Sequence, residues 1–353
     1  MTESDVQKVL ARFQDPETGR NVVQLQQIHG LTLEGGKLAV TLGLTTWAAP
    51  LWEETREELT ALLQKEFPGL DVSVKLIEHF RPAMPQGQMA LQVKSVIAVG
   101  AGKGGVGKSS IAAYLAIGLA RAGAKVGLMD ADLYGPSIPH LLGIREQPYM
   151  AYNKIQPIEK AGVKVLSMGM LVPPGEAVIW RGPMLHSALT QFLQDTEWGN
   201  LDYLVIDLPP GTGDVAISLS QLLPPSGAVV VCTPQDVALL DATKAIAMFR
   251  KVNIPVLGMV ENMSFFLCSN CGARHDIFGT GGARRRAGEM GVPFLGEVPL
   301  ETQLRVLADE GRIAAAFDDA TARPCLEAIC RTLVRGMADD RRKKPVQPTL
   351  PLL

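Results

Sequence analysis

Residues 95–123, SVIAVGAGKGGVGKSSIAAYLAIGLARAG, set an apolar run, a glycine-rich loop and an alanine-rich run in direct succession. An apolar run of strand length that ends in glycine and passes straight into a helix-length run predicts a strand, a tight loop and a helix. The loop fits G-x-x-x-x-G-K-[ST] from Gly102 to Ser109. Glycines there let backbone N–H groups turn inward around phosphate oxygens, and the helix start adds partial positive charge. Lys108 is then placed for the β and γ phosphates of a nucleotide and Ser109 for Mg2+. Gly102, Gly104, Gly105, Val106, Gly107 and Ser110 complete the cradle, and Lys103 is an extra lysine that an ordinary loop of this kind does not need.

The rest of the chain repeats this grammar. KVGLMDAD, VKVLSMGM, LDYLVIDLPPG, GAVVVCTPQ, PVLGMVENMS and PFLGEVPL are short apolar runs ending in Gly, Asp, Pro or Asn, mostly separated by helix-length segments. Continuous apolar strands alternating with helices mean a mostly parallel sheet covered by helices on both faces. The expected fold class is therefore α/β, a P-loop NTPase domain over residues 94–338. Before it, residues 3–14 read as a helix, 21–45 as two strands around the turn EGGK, 50–67 as a helix and 70–78 as a strand, a small α+β domain over 1–80. RPAMPQGQM lacks an apolar period, so 81–93 reads as a linker. DDRRKKPVQPTLPLL carries a charge run and three prolines, so 339–353 reads as a disordered tail.

The ends of the other strands carry further candidates. Asp130 and Asp132 lie two apart on an extended chain after one strand, placed to orient an attacking water and the Mg2+ shell. Asp207 closes LVID, with Gly211 four residues on, suited to Mg2+ through water and to a backbone contact with a γ-phosphate. Each also reads as an ordinary turn or cap residue by itself. CSNCGARHDIFG (268–279) holds Cys268 and Cys271 at a metal-gripping spacing, half of the four ligands that a closed thiolate site takes. His275 nearby leaves zinc open, and a dithiol switch is a further reading. Cys325 and Cys330 do not complete the set, because five helical residues separate them by about 140 degrees. Cys330 falls in the apolar stripe Leu326, Ile329, Leu333 and Met337, so Cys325 and Cys330 read as buried structural thiols, and Cys232 reads as core. Arg284 to Arg286 read as a solvated helix face.

A formal net charge of -2 lacks the basic field of a nonspecific nucleic-acid binder. No segment reaches the roughly 18 uninterrupted apolar residues of a membrane span, and MTESDVQKVLARFQDPETGR has no basic start followed by an apolar run. A cytoplasmic protein without nucleic-acid or membrane partners is expected. The five cysteines are unevenly spaced, unlike a disulfide framework.

KGGVGKS resembles the deviant phosphate loop of the MinD, ParA and nitrogenase-iron-protein ATPases. The resemblance implies that Lys103 reaches across a dimer interface to the partner's nucleotide, that the nucleotide is ATP, and that Asn262 reads adenine. DADLYGPS, WRGPM (180–184), DLPPGTGD, TPQDVALLD and ENMS followed by CSNCG resemble the Mrp/ApbC family of iron-sulfur cluster carrier ATPases, from about residue 94 to 335. That family implies slow ATP hydrolysis involving Lys103, Lys108, Asp132 and Asp207. It also implies a homodimer that bridges a [4Fe-4S] cluster through Cys268 and Cys271, and apoprotein clients that receive it. The small domain resembles one that commonly precedes these ATPases, with DPE at 15–17, but has Ala49 where related domains often carry cysteine. A docking or structural role is therefore expected of it. The alternative is a spatial-organising ATPase of the MinD or ParA type with a structural zinc at the dimer interface.

Overall fold

The computed structural model describes residues 2–132, 135–171, 182–211, 213–268 and 270–346. The chain forms two compact units, residues 1–81 together with 334–353, and residues 82–333. Part of the DLYGPS motif and the WRGP portion of WRGPM lie wholly or partly outside the described residues, as do residues 347–353 of the expected disordered tail.

In the small unit, Ile28–Glu34 and Lys37–Leu44 pair antiparallel across a turn at Gly35 and Gly36, both with positive φ. That conformation is what the two glycines supply without steric cost. Helix Trp52–Glu66 then carries the chain across to Asp71–Glu78, which pairs parallel with Lys37–Leu44. The helix buries Thr55, Leu59 and Leu63, spaced by one turn, with the last two packed among Leu38, Val40 and Leu42 of the middle strand. Residues from Val334 onward cluster with this unit. Arg335 makes a two-pronged pair with Glu54, Arg342 pairs with Glu58 at 2.8 Å, and the Arg341 guanidinium lies 4.2 Å from the Trp47 ring centre.

These contacts correct the tail boundary. The last helix runs Ala322–Lys343, five residues into the segment expected to be disordered, because its basic end finds carboxylates and an aromatic face. The expected linker is also shorter than its composition suggests. Pro85 and Gln86 pair antiparallel with Gln92 and Leu91, and the strand Leu91–Gly100 begins inside it.

The large unit has the expected mostly parallel sheet. Its strand order is Phe294–Glu297, Val256–Glu261, Gly227–Cys232, Leu91–Gly100, Leu201–Asp207, Val126–Asp130, Val163–Ser167 and Ile158–Lys160, the last antiparallel. Every residue of Leu201–Asp207 and of Val126–Asp130 is buried, as expected of strands covered on both faces. The chain moves from Leu91–Gly100 outward to Val126–Asp130, later returns to fill the gap with Leu201–Asp207, and then crosses to Gly227–Cys232 on the other side. That reversal makes a crevice at the carboxyl ends of the central strands, where open α/β sheets bind ligands. Parallel register sets Asp207 opposite both Val99 and Asp130, so the two aspartates meet there. No helix among the described residues is long and apolar enough to cross a membrane.

Candidate nucleotide site and cysteine hairpin

The phosphate loop leads into helix Lys108–Arg121, with Gly107 as its N-cap at φ 81° and Gly105 at φ 80°. These positive angles aim successive N–H groups into one concavity, a conformation that glycine adopts freely. A Cβ on Gly102 would collide with the Asp241 carbonyl, so the loop and the helix Asp236–Lys251 approach at backbone distance. Gly104 and Gly105 face open space.

Lys108 is 7% exposed, and its ammonium donates to Asp207 Oδ1 at 2.5 Å and to Ser109 Oγ at 3.3 Å, with Asp132 Oδ2 3.9 Å away. The lysine therefore spends its charge on carboxylates at the place where a nucleotide's phosphates would take it. Asp207 is fully buried and its Oδ2 has no partner among the described residues. Burial raises its pKa, while Lys108 pulls it back down. A buried carboxylate oxygen with no donor, next to a serine hydroxyl, is a donor set that fits a hydrated Mg2+.

The two aspartates of MDAD divide their work. Asp132 flanks the Lys108 ammonium. Asp130 faces the other way and accepts from the Asp132 N–H at 3.0 Å, the Ile138 N–H at 3.2 Å and the Ser167 hydroxyl at 3.1 Å. It anchors the loop and does not meet the phosphate-facing expectation. Ser167 and this anchoring role had no sequence signal, because Ser167 lies 37 residues on and only sheet pairing brings it to Asp130.

Burial, with the Asp207 carboxylate beside it, pushes Asp130 up to about 7. A folded pKa above the unfolded value of about 3.9 means that the native state holds a proton the unfolded chain releases. Its contribution to stability is full below about pH 4 and is lost as the pH rises through 7. In nucleotide-free protein, Asp130→Asn is expected to flatten the fall in urea midpoint between those pH values; an unchanged slope would assign it to other groups.

Gly211 has φ 73° and open space around it, consistent with a backbone that can approach a ligand. Lys103 is half-buried and forms no ion pair among the described residues. Asn262 is buried and donates its carboxamide N–H to the Val106 carbonyl of the phosphate loop at 2.9 Å.

Cys268 and Cys271 lie on a small hairpin whose arms are Phe266–Leu267 and Arg274–His275. The Cys268 N–H bonds to the Ala273 carbonyl at 2.9 Å and the Gly272 N–H returns to the Cys268 carbonyl at 2.8 Å. Gly272 has φ 71°, which closes the turn. The backbone N–H groups of Asn270 and Cys271 point at the Cys268 sulfur and hold its pKa below the ordinary thiol value. Cys271 is exposed. Among the described residues no third His, Cys, Asp or Glu joins them in a metal-holding group, and exposed His275 packs against Phe266. Cys232 and Cys330 are buried, with pKa values pushed up to about 12 mainly by burial, as expected of core thiols; Cys325, also expected to be buried, is only half-buried. Arg284 lies over Phe294 and Arg286 pairs with Glu289 on the same helix.

Sequence reasoning passed over Glu261, which is wholly buried at the end of Val256–Glu261. Its Oε1 accepts from the Ser264 hydroxyl at 2.6 Å and its Oε2 from the Ala283 N–H at 2.8 Å. The charged residue ending an otherwise apolar run, VLGMVE, was the available signal.

A central parallel sheet, a glycine loop capped by a buried lysine and an aspartate at the next strand's end define a P-loop NTPase. The chain belongs to the NUBPL iron-transfer P-loop NTPase family, whose profile matches residues 92–334, and residues 3–76 match the iron-sulfur cluster assembly protein family. It is 48% identical to the iron-sulfur cluster carrier protein of Deinococcus radiodurans over 98% of both chains. It is 45% identical to the Escherichia coli K12 protein of the same description, over 86% of this chain and 83% of that one. Among solved structures, a nucleotide-binding protein from Archaeoglobus fulgidus in complex with ADP aligns with a TM-score of 0.56 and 41% identity, over 63% of this chain and 88% of that one. The Pyrococcus furiosus cell division ATPase MinD aligns with a TM-score of 0.51 at 23% identity, over 67% of this chain and 97% of that one, a likeness of fold alone.

Proposed function

We propose that the protein is a homodimeric, slowly hydrolysing ATPase that carries a [4Fe-4S] cluster on paired Cys268 and Cys271 hairpins and delivers it to cytoplasmic apoproteins. The observation that carries this reading is the hairpin itself. It presents one exposed thiol and one thiol of lowered pKa, with no third ligand among the described residues. A two-fold axis would set two such hairpins face to face and complete four thiolates. Family membership and the relatives' descriptions support cluster cargo over zinc.

In this reading the loop N–H groups of residues 102–110 hold the phosphates, and Lys108 leaves Asp207 to neutralise the β and γ oxygens. Ser109 Oγ and Asp207 Oδ2 would hold Mg2+, which supplies charge neutralisation between phosphates. Asp132 orients the attacking water, Gly211 offers its N–H to the γ-phosphate, and Lys103 reaches the partner's nucleotide.

Iron, acid-labile sulfide and zinc per chain after anaerobic reconstitution test the cargo. About two irons and two sulfides per chain correspond to one four-iron cluster per dimer. About half a zinc per chain without sulfide would overturn the carrier reading in favour of a structural clamp. For the trans role, Lys103→Ala is expected to keep ATP binding while lowering turnover by about 10²-fold or more. Unchanged turnover would remove Lys103 from the reaction.

A further inference from the structure

The stretch between the phosphate loop and the cysteine hairpin is joined by bonds at every step. Asn262 holds Val106 of the loop through its side chain and Cys232 through its backbone N–H. Its amide nitrogen fills the place that a Cβ on Gly107 would take, so it bears on the loop just where helix Lys108–Arg121 starts. The next residue, Met263, sits at φ 55°, a left-handed conformation that a side chain adopts at a cost.

On the other side, buried Glu261 grips Ser264 with one oxygen and Ala283 with the other. Residues 264 and 283 are the two ends of the excursion that contains both hairpin cysteines. Two backbone bonds continue the link, Ser264 N–H to Val298 and Leu300 N–H to Phe265. At the foot of the hairpin, Arg274 stacks 4.1 Å from the Phe265 ring centre and pairs with Glu297. Cys268 is thus six residues from a side chain bonded directly to the phosphate loop.

We propose that Asn262 and Glu261 are positioning residues that tie the cysteine hairpin to the phosphate loop, so that nucleotide binding changes the reactivity of the hairpin thiols within one chain. The proposal deepens the ATP-dependent carrier reading and rests on its nucleotide site. When phosphates enter the loop, its backbone re-forms around them and the Val106 carbonyl shifts. The strained Met263 turn offers a second arrangement, and the Glu261 clamp passes the shift to both ends of the excursion. Energetic coupling between sites needs an element with two arrangements, and this turn is that element.

The test is the alkylation rate of Cys268 and Cys271 by iodoacetamide, mapped by mass spectrometry on full-length, cluster-free, reduced protein. It is run with and without a non-hydrolysable ATP analogue, at concentrations where light scattering gives one mass in both. A small free thiol in the same reaction is the control for the reagent. Wild type is expected to change rate about fivefold or more on analogue binding, the lower end for coupled sites. Ser264→Ala, which touches the clamp and not the loop, should retain analogue affinity and lose the response, and Ser264→Thr, which keeps the hydroxyl, should restore it. Asn262→Ala should lose the response as well. If Asn262→Ala also loses affinity, the Ser264 pair decides alone. No rate change in wild type, or a full response in Ser264→Ala, would overturn the proposal. Cluster loading is measured separately, so a protein that responds but holds no iron would sink the carrier reading and leave this link standing.

Discussion

Cys271→Ala is expected to reduce iron and sulfide from about two each per chain to near zero after reconstitution, with loss of the sulfur-to-iron charge-transfer absorbance. The size of the effect follows from ligand count. A dimer of the variant offers two thiolates where a cluster takes four, and no third candidate ligand stands by among the described residues. The fold should be untouched, because the Cys271 side chain is exposed and the hairpin is held by backbone bonds from Cys268 to Ala273 and from Gly272 to Cys268. ATP affinity and the thermal midpoint are therefore the controls, and both should match wild type. Cys268→Ala should give the same loss, and it also removes the sulfur toward which the Asn270 and Cys271 N–H groups point. Iron retained at wild-type level in either variant would place the cluster elsewhere.

Lys108→Ala is expected to abolish ATP turnover and to weaken ATP binding, since the ammonium is the one cation placed against the aspartates of the crevice among the described residues. Removing one positioned donor to developing charge typically costs about 10²–10³ in kcat, and this donor also contributes to ground-state binding. A second consequence concerns stability. Asp207 and Asp130 are buried with raised pKa values, and the charge of Lys108 lowers both. Without it, Asp207 takes up a proton, which limits the penalty to below the ~3–5 kcal/mol of an uncompensated buried charge. The unfolding midpoint of Lys108→Ala should therefore fall more at pH 8 than at pH 5. Equal losses at both pH values would mean that the pair with Asp207 contributes little. Lys108→Met keeps the stem volume and separates lost packing from lost charge.

The two units differ in how their parts could be read. In the small unit, EGGK, the i, i+4 spacing of Thr55, Leu59 and Leu63, and the short strands are local patterns, and the elements fall within a few residues of where those patterns put them. The first helix is shorter than its pattern, ending at Leu10 and not at 14, and the first strand starts only at Ile28. The last helix was legible up to Met337 from its apolar stripe, but its continuation to Lys343 passed unread because its basic end is stabilised by Glu54 and Glu58, more than 280 residues away in sequence.

What the sequence by itself determined is the chemistry that depends on neighbours in the chain. The glycine spacing, Lys108 opening a helix, and the Cys-x-x-Cys pair each need only a few consecutive residues; that the cysteine loop closes a two-stranded hairpin came from the structure. What only the tertiary structure decided is which side chains share a partner. Parallel pairing set Asp207 beside Asp130, turned Asp130 toward Ser167 and left Asp132 with Lys108. Packing gave Asn262 to the phosphate loop and closed Glu261 over both ends of the hairpin excursion. Local patterns specify backbone shape because steric and hydrogen-bond preferences act over a few residues. A buried polar group takes whatever partner the fold brings to it, and that partner carries no signature in the sequence around it.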